Sequence, residues 1–323
     1  MSPSATAALK PDVPVGQAAV TVHDLTKSYG SLRAVNGLSL EVPRGTVFAL
    51  VGPNGAGKTT TMECIEGLKA PDSGQVRVLG HDPQHNRELM YQRVGVQLQE
   101  DSMYGRIRVS EVMRLFSSFY DDPLPADELL KRFGLADKKR AYFSSLSGGQ
   151  KRRAGIALAL LGQPELVLLD EPTSGLDPHG RRRLWETIKV SCATGATLML
   201  TTHLLQEAED HCDIVAMVDE GRVVAVGSPL ELMRRHRLRT RVACPVSANM
   251  TVARLRRIPG VTNVETRDGR LLVYSERGDL VDDVGRLMTE QGADRSELEV
   301  RAATLEDLYL TITGREYVIA PEQ

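Results

Sequence analysis

Gly52-Pro53-Asn54-Gly55-Ala56-Gly57-Lys58-Thr59 follows the apolar run Val47-Phe48-Ala49-Leu50-Val51 and precedes a helix-like segment. A buried strand, a glycine-rich turn and a helix start form the context in which GxxxxGK[ST] cradles the phosphates of a nucleoside triphosphate. Gly52, Gly55 and Gly57 let the chain turn tightly and aim N–H groups at phosphate oxygens, with Pro53, Asn54 and Ala56 filling the loop. Lys58 brings a point charge to the β and γ phosphates, the Thr59 hydroxyl is placed to ligate Mg²⁺, and Thr60 opens the helix behind them. A plain glycine-rich turn would need neither this octapeptide nor these flanks, so the loop is read as a nucleoside triphosphate site, which by itself fits kinases, GTPases, helicases and transporters alike.

The surroundings of the loop predict an α/β fold. Leu166 to Leu169 and Thr197 to Thr201 are, like Val47 to Val51, short and almost wholly apolar, as parallel strands buried on both faces are. Ala18 to Leu25 and Leu38 to Val42 instead alternate, with Tyr29-Gly30-Ser31 between them, which predicts an antiparallel β layer ahead of the loop. Val109, Val112, Met113, Phe116 and Tyr120, then Leu129, Leu130, Phe133 and Leu135, have helical spacing and predict a helical insertion within about residues 100–160. Val215 to Val218 and Arg222 to Val226 read as a hairpin around Asp219-Glu220-Gly221, followed by a short helix.

Beyond that helix the pattern restarts. A strand at Val242 to Val246, a helix at Val252 to Ile258, a hairpin around Asp268-Gly269, a helix at Leu280 to Met288 and a strand at Leu298 to Arg301 give a β-α-β-β-α-β, ferredoxin-like order. The helix Thr304 to Thr313 closes it, with Leu305, Leu308, Tyr309 and Ile312 as its core-facing stripe. The expected organisation is a flexible tail over 1–18, a nucleotide-binding domain over 19–235, an accessory α+β domain over 236–316 and a tail over 317–323. The arginine-rich stretch Arg234 to Arg241 is read as a solvated linker, with contact to anionic lipid or an acidic partner as the other reading.

A chain of 323 residues suits about two domains. Its 40 Lys and Arg against 42 Asp and Glu give a net charge of −2, which speaks against a nucleic-acid-binding surface. Cys64, Cys192, Cys212 and Cys244 are scattered without metal-ligand spacing and read as reduced thiols of a cytoplasmic protein. The N-terminal stretch lacks the apolar core of a secretory signal. No run approaches the roughly 20 apolar residues that span a bilayer, so action at a membrane would require another chain to cross it.

Two further constellations carry chemistry. Leu166 to Leu169 ends in Asp170-Glu171-Pro172, where Asp170 at the strand tip can hold Mg²⁺ and Glu171 can orient or deprotonate an attacking water. About twenty residues upstream, Leu146-Ser147-Gly148-Gly149-Gln150 caps another helix, whose dipole and loop amides suit phosphate oxygens.

Together these residues resemble the ATP-binding cassette, the motor subunit of the ABC transporter family, over residues 19 to about 235. The resemblance makes Ser147 to Gln150 the signature loop and Gln99 the glutamine joining nucleotide and Mg²⁺ to the helical insertion, with Gln97 as the second candidate. It makes Asp177, in Gly175-Leu176-Asp177, part of the loop crossing a dimer interface. His203 becomes the switch histidine at the γ-phosphate, and Tyr29 the aromatic stacked on adenine, an exposed turn tyrosine being the plainer reading. It implies that two cassettes sandwich two ATP molecules, Ser147 and Gly149 of one covering the phosphate bound by Lys58 of the other. A homodimer or a pair of similar subunits is therefore expected.

The segment Ala303 to Glu316 resembles the tail of exporter cassettes of the daunorubicin and multidrug resistance type. This implies an ATPase at the cytoplasmic face of the membrane, held there by a separate transmembrane permease that docks at the helical insertion and exports drug-like or other hydrophobic cargo. Two other readings stay open. A soluble cassette ATPase acting on ribosomes or DNA would usually carry two cassettes or a long coiled-coil insertion, and a plain nucleotide-stabilised interaction module would have no need of Glu171 and His203.

Overall fold

The computed structural model describes residues 18–97, 106–192, 195–247, 250–315 and 317. They form two compact units, the first reaching Val226 and the second running from Gly227 to Tyr317.

The first unit holds two sheets. The strands β1 (Ala18–Tyr29), β2 (Leu32–Pro43) and β4 (Ser73–Val78) make an antiparallel layer in the order β2-β1-β4. The strands β3 (Val47–Val51), β5 (Val94–Gln97), β6 (Leu166–Asp170), β7 (Thr197–Thr202), β8 (Ile214–Asp219) and β9 (Arg222–Gly227) make a six-stranded sheet in the order β5-β6-β7-β3-β8-β9. Every residue of β6 and β7 is buried, which is why these strands read as almost wholly apolar runs. The run β5-β6-β7-β3-β8 is parallel throughout, so these strands bring their carboxyl ends to one edge.

Helix α1 (Lys58–Ile65) leaves the glycine-rich loop directly, and α2 (Arg87–Tyr91) precedes β5. The helical insertion comprises α3 (Val109–Ser117), α4 (Ala126–Arg132) and α5 (Gly148–Ala159). Val109, Val112, Met113, Leu129 and Leu130 are buried, as their spacing predicts. Helix α5 lies so close to β5 that a Cβ on Gly95 would sit 1.9 Å from the Ala159 carbonyl oxygen. Helices α6 (Pro178–Ser191) and α7 (Leu205–His211) follow β6 and β7.

The second unit opens with α8 (Pro229–Arg235). Sequence reading draws the domain boundary after this helix; its packing against α11 (Leu305–Thr313) groups it instead with the second unit. The strands β10 (Thr240–Pro245), β11 (Val261–Arg267), β12 (Arg270–Ser275) and β13 (Glu299–Ala302) form an antiparallel sheet in the order β11-β12-β10-β13. With α9 (Val252–Leu255) and α10 (Leu280–Glu290) this is the ferredoxin-like arrangement. Val242, Val264, Val273, Leu280, Val284 and Met288 share one core. Leu305, Leu308 and Tyr309 of α11 are buried and Ile312 half-buried. Asp307 on the same helix is 2 % exposed. It accepts hydrogen bonds from the Tyr274 hydroxyl at 3.1 Å and Arg241 Nη1 at 3.2 Å.

Candidate active site

The site is built at the carboxyl edge of the parallel sheet. Gly52 and Gly57 allow the loop to lie against its neighbours: added Cβ atoms would come within 2.3 Å of the Val218 and Ala34 carbonyl oxygens respectively. Gly57, the residue before α1, has φ +99°, which a side chain would resist. Asn54 and Gly55 are exposed, Pro53, Thr59 and Thr60 half-buried, and Ala56 buried.

Lys58 is 5 % exposed and donates its ammonium protons to the carbonyls of Gly52 at 2.9 Å and Pro53 at 3.1 Å. Burial pulls its pKa down, opposed by the charges of Glu171 and Asp170. Glu171 Oε1 lies 3.8 Å from Lys58 Nζ and its Oε2 lies 3.1 Å from His203 Nδ1. Burial pushes the Glu171 carboxyl up, but the hydrogen bond and charge of His203, with Lys58 and Arg152 behind them, outweigh it and hold the group below its usual range. Thus residues 58, 171 and 203, remote in sequence, meet at one carboxylate.

Asp170 is held by a different pair of hydroxyls. Burial raises its pKa, against hydrogen bonds from the hydroxyls of Thr201 and Thr59. Thr59 and Asp170 therefore offer a hydroxyl and a carboxylate to the same point, a hard oxygen pair suited to a cation such as Mg²⁺. Sequence reasoning missed Thr201, reading it as one more member of a buried strand that also carries Thr197 and Thr202.

Other predicted residues lie apart from this cluster or outside the description. Ser147 caps α5: its hydroxyl accepts the Gln150 N–H at 3.3 Å, and Gln150 Oε1 accepts the Ser147 N–H at 2.9 Å. Gly148 is exposed and Gly149 half-buried. Asp177 is exposed at the start of α6. Tyr29 is 41 % exposed, with Lys69 Nζ 4.9 Å from its ring centre. Gln97 is buried on β5, whereas Gln99 falls outside the described residues.

The description of the ABC transporter family matches residues 35–174. The daunorubicin resistance ATP-binding protein DrrA3 of Streptomyces coeruleorubidus is 36 % identical over 308 residues, covering 92 % of this chain and 96 % of that protein. The chain belongs to the ABC transporter family. The Nod factor export ATP-binding protein I of Ralstonia nicotianae is also 36 % identical, over 92 % of this chain and 94 % of its own length. Among solved structures, an ATP-binding subunit of an ABC transporter superposes with a TM-score of 0.62 at 31 % identity, covering 67 % of this chain and 92 % of its own. An ATP-bound bacterial exporter of the Atm1 family superposes with a TM-score of 0.60 at 27 % identity, covering 70 % of this chain and 42 % of its own. The cassette binds ATP and hydrolyses it. No helix among the described residues is long and apolar enough to cross a membrane.

Proposed function

We propose that this cassette drives an exporter, coupling ATP-dependent closure of a dimer to efflux of a drug-like or other hydrophobic substrate through a separate transmembrane permease. The observation that carries its ATPase half is the convergence of Lys58 and His203 on Glu171 beside the Thr59–Asp170 pair, and its exporter half rests on the likeness to the drug-resistance and Nod factor export ATP-binding proteins along nearly the whole chain. Lys58 exchanges the carbonyls of Gly52 and Pro53 for phosphate oxygens when the nucleotide enters. Glu171, kept ionised by its neighbours, takes the proton of the attacking water or orients it, and His203 holds that carboxylate in place. Thr59 and Asp170, with Gln99, are the residues that would hold Mg²⁺, which supplies charge neutralisation at the β and γ phosphates.

The cassette has one signature loop, Ser147 to Gln150, at the exposed start of α5. We assign it to the nucleotide of a second cassette, with Asp177 at the shared boundary and Tyr29 on adenine. The likeness to a Nod factor export ATP-binding protein supports export, and the likeness to a daunorubicin resistance ATP-binding protein supports a drug-like cargo.

Replacing Glu171 with Gln tests the reading. ATP binding is expected to persist, turnover to stop and a nucleotide-bound dimer to accumulate; wild-type turnover would remove Glu171 from its role. With this variant as bait in Mg-ATP, recovery of a polytopic membrane protein from detergent extracts is the expected result. Recovery of ribosomal or DNA-repair proteins without one would refute the exporter reading.

A further inference from the structure

Thr201 lies on β7 directly opposite Asp170 of β6 and is fully buried. Its hydroxyl accepts the backbone N–H of Glu171 at 3.0 Å and donates its own proton to Asp170 Oδ1 in a short hydrogen bond. One oxygen atom thus grips both the side chain of the first carboxylate and the main chain of the second. A threonine hydroxyl has one proton to give and lone pairs to receive, so both bonds can exist at once.

The grip matters because the chain changes course here. Glu171 has φ +47°, in the left-handed region that a residue with a Cβ rarely adopts. This turn lets two adjacent residues address different partners: Asp170 meets the Thr59 hydroxyl, while Glu171 meets Lys58 and His203. A relaxed, extended backbone at Glu171 would swing its carboxylate away from that place.

We propose that Thr201 is a positioning residue for ATP hydrolysis, its hydroxyl locking the Asp170–Glu171 turn so that the two carboxylates are held for separate tasks. The inference rests on the assignment of Glu171 to the attacking water. It gives this strand position a role in the chemical step that an apolar residue there could not fill. Misplacing a catalytic group by a fraction of an ångström to an ångström costs up to about 100-fold, and partial loosening costs less.

Thr201→Val keeps volume and strand propensity and removes only the hydroxyl. With full-length protein, single-turnover hydrolysis at saturating Mg-ATP is expected to slow about tenfold, while ATP affinity changes less than about twofold. Thr201→Ser is expected to restore most of the rate. Thr201→Ala and Thr201→Ser, which differ by the hydroxyl, give the same comparison if the valine variant does not fold. Unchanged hydrolysis in the valine or alanine variant, with Glu171→Gln inactive, would overturn the inference and leave the role of Glu171 standing. Parallel loss of binding and turnover would also overturn it, showing a merely structural bond. An active Glu171→Gln variant would instead bring down the assignment on which the inference depends.

Discussion

Glu66, at the end of α1, is 2 % exposed and its Oε1 meets no hydrogen-bond partner among the described residues. Burial first, then the charges of Asp170 and Glu63, push its carboxyl from the ordinary 4.5 up to about 8. Between those two values the folded protein holds a proton that the unfolded chain releases. Stability is therefore unpenalised below about 4.5, falls as pH rises through that window and levels off above about 8. At roughly 1.4 kcal/mol per pH unit the loss has an upper bound of about 5 kcal/mol, and structural relaxation should leave about 2–4. Glu66→Gln keeps the shape and cannot ionise, so it should lack this component. The assay is urea or thermal unfolding of nucleotide-free full-length protein at pH 5, 6.5 and 8.5. Expected is a midpoint advantage for the glutamine variant that grows with pH, on the order of 5–10 °C at the alkaline end for a unit of this size. Parallel pH profiles for the two proteins would refute the reasoning, because the buried proton would then not be linked to folding.

Two further outcomes can be checked directly. Asp307→Ala should destabilise the second unit by about 3 kcal/mol, seen as an earlier urea transition, because it strands the Arg241 guanidinium and the Tyr274 hydroxyl without their acceptor; ATP binding should be unaffected. Gly52→Ala should weaken ATP binding about 100-fold in a nucleotide titration, since its Cβ would collide with the Val218 carbonyl oxygen 2.3 Å away and displace the loop.

The parallel strands were legible because full burial leaves few polar positions, and the hairpins because Glu220-Gly221 and Asp268-Gly269 supply positive φ where the chain reverses. Strand β4 was not: in Ser73–Val78 only Val76 and Val78 are buried, too little alternation to stand out. Helix α8 was legible as a helix, but its allegiance to the second unit depends on packing against α11, some seventy residues downstream, which no local pattern encodes. In the site, glycines and paired carboxylates announce themselves by type and spacing. Thr201 does not, because its importance comes from the register that sets it opposite Asp170.

The placement of β3 in the middle of its sheet has a consequence for synthesis. Its neighbours β7 and β8 are both encoded far downstream, Val47 pairing with Leu198 and Phe48 with Ile214. At ribosomal speed roughly 150 residues take on the order of ten seconds to emerge. Until then the glycine-rich loop hangs from a strand with neither flank in place, and the histidine that meets Glu171 has not been made. The nascent chain thus carries its phosphate loop through that interval without the partner that meets Glu171, and the order of the strands delays assembly of this cluster until the sheet closes.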